Sequence, residues 1–176
     1  MENQRVRLTK MLLKNALLQL LHQKPIEKVS VAELCRTAQI NRVTFYKYYS
    51  TPADVLAEEK NEIVSELNGI ISAYRKSSTH LVAALQFLRE RQDEVLTLFK
   101  NIPGSELEEC LLDSLQVRNI LEKVIPDEYN EAERNRVCLF LCSGSYAIIR
   151  KWLLEGCQEP LEEIADFIHG FAQKLL

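Results

Sequence analysis

Glycine and proline are scarce in this chain, with five of each among 176 residues. Long stretches hold neither, which argues against a turn-punctuated all-β domain and for helices joined by few breaks. Charge-free runs are short as well. The longest is Val137 to Ile149, thirteen residues between Arg136 and Arg150. That is too few to span a bilayer, so it reads as a buried helix. The opening MENQRVRLTK has no apolar secretion-signal segment, so a soluble, cytoplasmic protein with no membrane partner is expected. The cysteines number five, and no CxxC or HxxxH pair accompanies them. An odd count without a secretion signal argues against a disulfide framework, and the spacing argues against a metal site. They read as small buried hydrophobes. GxSxG and phosphate-loop glycines are missing, and His22, His80 and His169 lie far apart. No enzymatic centre and no cofactor are expected.

What is present is ample apolar material, 47% of residues, enough for one or two compact units. The net charge of −3 hides an asymmetry. Residues 1–50 hold nine Lys/Arg against three Asp/Glu, a balance of +6, and the remainder has a balance of −9. A basic head on an acidic body fits a protein whose head alone meets a polyanion.

Helical spacing runs along most of the chain. From Gln4 to His22, Leu8, Met11, Leu12, Ala16 and Leu20 form a stripe that Leu13, Leu17 and Leu21 broaden, with Lys10, Lys14 and Gln19 off it. Ser30 with Glu33 three residues later reads as a capping box opening a short helix whose Val31, Leu34, Cys35 and Ala38 share a face. Asn41 is a second N-cap. In RVTFYKYY, Val43, Phe45 and Tyr49 are expected to face inward, leaving Arg42, Thr44, Lys47 and Tyr48 outside and Tyr46 near the boundary. Two short helices joined by a tight turn behind a longer one form a helix-turn-helix unit. Pro52 suits the first turn of a fourth helix, reaching about Tyr74. Further helices are expected over about 79–90, 92–100, 105–124 and 131–155, with Gly156 as C-cap and Pro160 opening the last. No strand signal or internal repeat is evident.

The second short helix makes chemical sense if it faces DNA. Arg42 can pair bidentately with a guanine and the Thr44 methyl can meet a thymine methyl in the major groove. Lys47 and the Tyr46 and Tyr48 hydroxyls suit phosphates, and Arg36 can touch the backbone. Ser30 and Asn41 cap helices whose first amides can hold phosphate.

The stretch SVAELCRTAQINRVTFYKYYSTPADVLAE resembles the DNA-binding region of TetR-type transcriptional regulators. Ser30, Val31, Leu34, Ala38, Ile40, Thr44, Phe45, Tyr46 and Tyr48 hold the family's positions, with Asn41 for its usual Ser and Tyr49 for its usual Phe. A weaker likeness covers GSYAIIRKWLLEGCQEPLEEIADFI. Two departures stand out. Gln39 replaces the turn Gly, so a side-chain-bearing residue must turn left-handed, and Pro52 replaces a Lys that would contact phosphate.

The resemblance implies an all-α protein of about nine helices, with a three-helix DNA-binding head over 1–50 and an effector-binding and dimerisation bundle over 51–176. It implies a homodimer that binds a near-palindromic double-stranded operator, acts as a repressor and is released by a small effector. Tyr74, Cys110, Cys138, Cys142 and Tyr146 are the candidate effector-lining residues. Gly144, Ile148, Ile168 and Leu175 are the candidates for the dimer interface. The alternative is a TetR-like adaptor that binds a partner protein after losing its operator. Gln39 and Pro52 favour that reading and the basic head opposes it.

Overall fold

A computed structural model of the protein describes residues 4–73, 80–112, 125–126 and 128–175. Among them are nine α-helices and no strand: α1 (Gln4–Leu21), α2 (Val31–Ala38), α3 (Arg42–Phe45), α4 (Pro52–Ala73), α5 (His80–Glu90), α6 (Gln92–Asn101), α7 (Gly104–Leu112), α8 (Glu131–Leu154) and α9 (Leu161–Leu175). The all-α expectation holds. The second half of the helix expected over 105–124 lies outside the described residues. The chain divides into two compact units, one of residues 1–63 with 97–101 and the other of 64–96 with 102–176.

In the first unit, α1 packs on α2 and α2 on α3. Its core is Leu13, Leu17, Leu34, Phe45, Val55 and Leu56, all nearly or fully closed to water. The buried face of α1 is Thr9, Leu13, Ala16, Leu17, Leu20 and Leu21. This corrects the expected stripe. Leu8, Met11 and Leu12 are exposed, because at 3.6 residues per turn Leu8 and Met11 emerge opposite Leu13 and Leu17. The last turn of α6 joins this unit: Asn101 Oδ1 accepts the Ile26 N–H at 3.0 Å and Asn101 Nδ2 donates to the Thr97 carbonyl.

In the second unit, α5 packs on α9, α7 on α8 and α8 on α9. Leu67, Ile71 and Ala84 form an apolar cluster flanked by Phe87 and Leu88. Asn130 opens α8 with a complete capping box to Glu133. The helix closes in a Schellman turn at Gly156, φ 79°, with the Cys157 N–H on the Trp152 carbonyl at 2.9 Å and the Gly156 N–H on that of Leu153 at 3.1 Å. Trp152 is buried, and its indole N–H donates to the Glu159 carbonyl at 2.9 Å. Pro160 precedes α9 as expected. Helix α8 is long and apolar enough to cross a membrane by length and composition, and only 22% of its most apolar stretch is buried.

Candidate nucleic-acid interface

Short-range hydrogen bonds build the helix-turn-helix residue by residue. The Ser30 hydroxyl accepts the Glu33 N–H at 3.2 Å and starts α2. A hydrogen bond from Lys24 holds the Glu33 carboxyl below its ordinary range, against a smaller opposing effect of burial. Helix α2 ends where Gln39 turns left-handed, φ 56° and ψ 35°. The Ile40 N–H then reaches the Cys35 carbonyl at 2.9 Å and the Gln39 N–H that of Arg36 at 3.2 Å. This is a Schellman closure with glutamine where glycine is the usual choice. Two residues on, Asn41 Oδ1 accepts the Val43 N–H at 2.8 Å and opens α3.

Helix α3 is four residues long, yet its direction is held from behind. Phe45 is fully buried and Tyr49 nearly so. Their rings lie 5.8 Å apart, and the Tyr46 ring meets Phe45 edge-on at 5.4 Å. The Tyr49 hydroxyl donates to Glu58 on α4, whose other oxygen takes Lys10 of α1 at 2.8 Å. Alongside, Lys14 pairs with the buried Glu59 at 2.8 Å and with Glu62 at 3.3 Å. These groups line a cleft of about 530 Å³ in the first unit. Burial pushes the Glu58 carboxyl up, but hydrogen bonds from Lys10 and Tyr49 with the charges of Lys10 and Lys14 outweigh it and hold it below the ordinary value. Lys14 is raised because its carboxylate partners outweigh the burial that opposes its charge. At the start of α4, Thr51 Oγ1 accepts the Asp54 N–H, and the Asp54 carboxylate takes the N–H groups of Thr51 and Ser50 at 2.8 and 2.7 Å. Pro52 therefore sits at the first helical position of a capped helix.

Arg42, Val43, Tyr46, Lys47 and Tyr48 are exposed and Thr44 is half-buried. Ser30, Arg36 and Asn41 are exposed as well. Val43 corrects the expectation that it faces inward: it is 68% exposed. Two residues from Phe45, it falls on nearly the opposite side of a helix. The paired Lys10/Lys14 and Glu58/Glu62 went unread in the sequence. Their signal is a matching i, i+4 spacing of opposite charges on two helices.

In the second unit, Cys142 is buried, while Cys110, Cys138 and Tyr146 are half-buried. Cys110 lies on α7 and the other three on α8, two helices that pack together. A Cβ on Gly104, at the start of α7, would lie 3.7 Å from the Tyr146 hydroxyl. Tyr74 lies outside the described residues. Gly144 is exposed with open space beside it, and Ile148 and Ile168 are half-buried. The side chain of Leu175 lies outside the described residues. No cluster of His, Cys, Asp and Glu able to hold a metal occurs among the described residues.

Residues 76–174 match a TetR-type family model described as a transcriptional regulator C-terminal region. The chain is 25% identical over 159 residues to the HTH-type dhaKLM operon transcriptional activator DhaS of Lactococcus lactis subsp. lactis (strain IL1403), covering 85% of this chain and 81% of that protein. Its fold is similar to that of a TetR transcriptional regulator from Streptococcus agalactiae 2603V, with TM-score 0.73, 20% identity and 96% and 95% of the two chains covered. It is also similar to Thermus thermophilus FadR, a TetR family transcriptional repressor solved with lauroyl-CoA, with TM-score 0.61, 14% identity and 93% and 92% covered. These matches are to regulators, and they do not favour the adaptor alternative. With more than half of its length matched by the family model, the chain belongs to the TetR family of transcriptional regulators.

Proposed function

We propose that the protein is a cytoplasmic, non-enzymatic regulator that binds a near-palindromic DNA operator as a two-fold homodimer. The observation that carries this is the polar segment formed by α3 and the turn that follows it. Arg42, Thr44, Tyr46, Lys47 and Tyr48 lie on a segment pinned from behind by Phe45 and Tyr49. Arg42 and Thr44 face base edges; Lys47, Tyr46, Tyr48 and Arg36 take phosphates; Ser30 and Asn41 hold the two helices in register. Residues 1–50 form the DNA-reading part and 51–176 the part that binds effector and dimerises. In the two-fold dimer the two α3 helices meet half-sites about one helical turn apart.

The protein represses while bound, and a small effector that favours the DNA-incompetent arrangement releases the operator. Cys110, Cys138, Cys142 and Tyr146 on the packed α7 and α8, with Tyr74, are the lining candidates. The FadR similarity, to a repressor solved with an acyl-CoA, supports this reading. Activation is a second reading, supported by the likeness to DhaS, a named activator.

The test is fluorescence anisotropy with DNA from upstream of the gene, at two salt concentrations, with random DNA as control. Tight, salt-sensitive binding above the control is expected. Arg42→Ala should cost about 1–3 kcal/mol and relax base preference at one position per half-site. Lys47→Ala should weaken all sequences alike and flatten the salt dependence. Equal losses on operator and random DNA for both variants would sink this division of roles.

A further inference from the structure

We infer that Val43 reads the C5-methyl group of one thymine in each operator half-site. This rests on the DNA-reading role proposed above and names the base chemistry within it. At 68% exposure Val43 is the most open large hydrophobic side chain among the described residues. Exposure alone carries nothing, because isolated apolar residues are ordinary on protein surfaces. Position carries the inference. Val43 stands directly after Arg42, with the exposed Tyr46 and Lys47 one turn further on the same side. Any DNA that meets Arg42 and Lys47 therefore covers Val43 too.

The side chain is also held in one place. Its own N–H is fixed to Asn41 Oδ1 at 2.8 Å, and β-branching leaves its methyls little torsional freedom. In the major groove, guanine and adenine offer hydrogen-bonding atoms that a valine would desolvate without replacing, which is costly. Thymine alone presents a methyl group, and apolar contact there removes non-polar surface from water on both sides. Thr44, which has a methyl of its own, is half-buried, so Val43 is better placed for this contact.

The test starts with selection of bound duplexes from a random library by the full chain. Each thymine of the selected operator is then replaced in turn by deoxyuridine, which lacks only the methyl. One thymine per half-site should prove sensitive, with affinity falling about fourfold for one half-site and about fifteenfold for both, the scale of one buried methyl each. Val43→Ala should bind the thymine and deoxyuridine operators equally. Its unchanged circular-dichroism melting curve would show that it folds.

A selection that enriches no sequence would remove the DNA-reading role itself. A selected operator with no methyl-sensitive thymine, or with one equally sensitive in Val43→Ala, would leave that role standing and overturn the assignment of Val43.

Discussion

Gln39 holds a left-handed backbone, φ 56°, in which a Cβ costs about 1 kcal/mol. The two Schellman hydrogen bonds and the fixed approach to Asn41 keep it there. Gln39→Gly removes the steric cost, while the freer unfolded chain offsets part of the gain. A net stabilisation of about 0.5 kcal/mol is expected, seen as roughly twofold greater hydrogen-exchange protection of the α2 amides. Gln39→Val should do the reverse, since a β-branched side chain fits this region worst. Unchanged protection in the glycine variant would mean that relief of the left-handed turn does no more than cancel the entropy gained by the unfolded chain. The caps at Ser30 and Asn41 were legible in the sequence because a cap is decided by residues within three positions. Val43 was not. In a helix of four residues periodicity has no room to fix the phase, so apolar identity suggested burial that geometry denied.

Among elements, the pairing of α1 with α4 is the informative case. Both helices were legible from spacing, but which face of α1 turned inward was not, because two leucine-rich stripes run along it. The choice is set by partners distant in sequence: the core of Leu34, Phe45 and Val55, and the carboxylates of α4 that meet Lys10 and Lys14. This polar seam makes a pH prediction. The Glu58 carboxyl is lowered from its ordinary 4.5, so the folded state binds that proton less readily than the unfolded chain. Its contribution to stability is full above about pH 4.5 and fades as pH falls through the lowered value. Asp54 and Glu33, also lowered, act in the same direction. Lys14, raised above 10.5, contributes below that pH and loses its contribution as pH rises through the raised value. The thermal midpoint should therefore hold steady near neutrality and drop in acid. Glu58→Gln should begin lower at neutral pH and fall less steeply below pH 4.5, with the remaining slope coming from Asp54 and Glu33. Parallel wild-type and variant curves would show that Glu58 contributes nothing to acid sensitivity.

For the whole molecule, the decisive question is what covers α8 and α9. Exposed positions on α8 recur as Arg136, Phe140, Gly144, Ala147 and Lys151, an apolar middle with a base at each end. On α9, Phe167 and Phe171 are exposed and stacked 6.0 Å apart. Regulators of this family act as dimers, and a second copy of the chain is the proposed cover. The sequence signalled a charge-free helical run from Val137 to Ile149, but it could not tell a core face from a partner face, since both select the same residues. Gly144 separates the two possibilities. A Cβ built there meets nothing within 4 Å, so Gly144→Glu leaves the protomer undisturbed. Against a close-packed symmetry mate, the same change buries two like charges near the two-fold axis, which costs several kcal/mol. Sedimentation equilibrium should show a dimer for the wild type. For Gly144→Glu the dissociation constant should rise about a hundredfold or more, with the thermal midpoint of the monomeric fraction as a check on folding. Operator affinity should fall with it, because two linked heads bind far more tightly than one. A variant that remains dimeric would place the interface on another face, leave Phe140 and Phe167 without the proposed partner, and require the two heads to be spaced by different contacts.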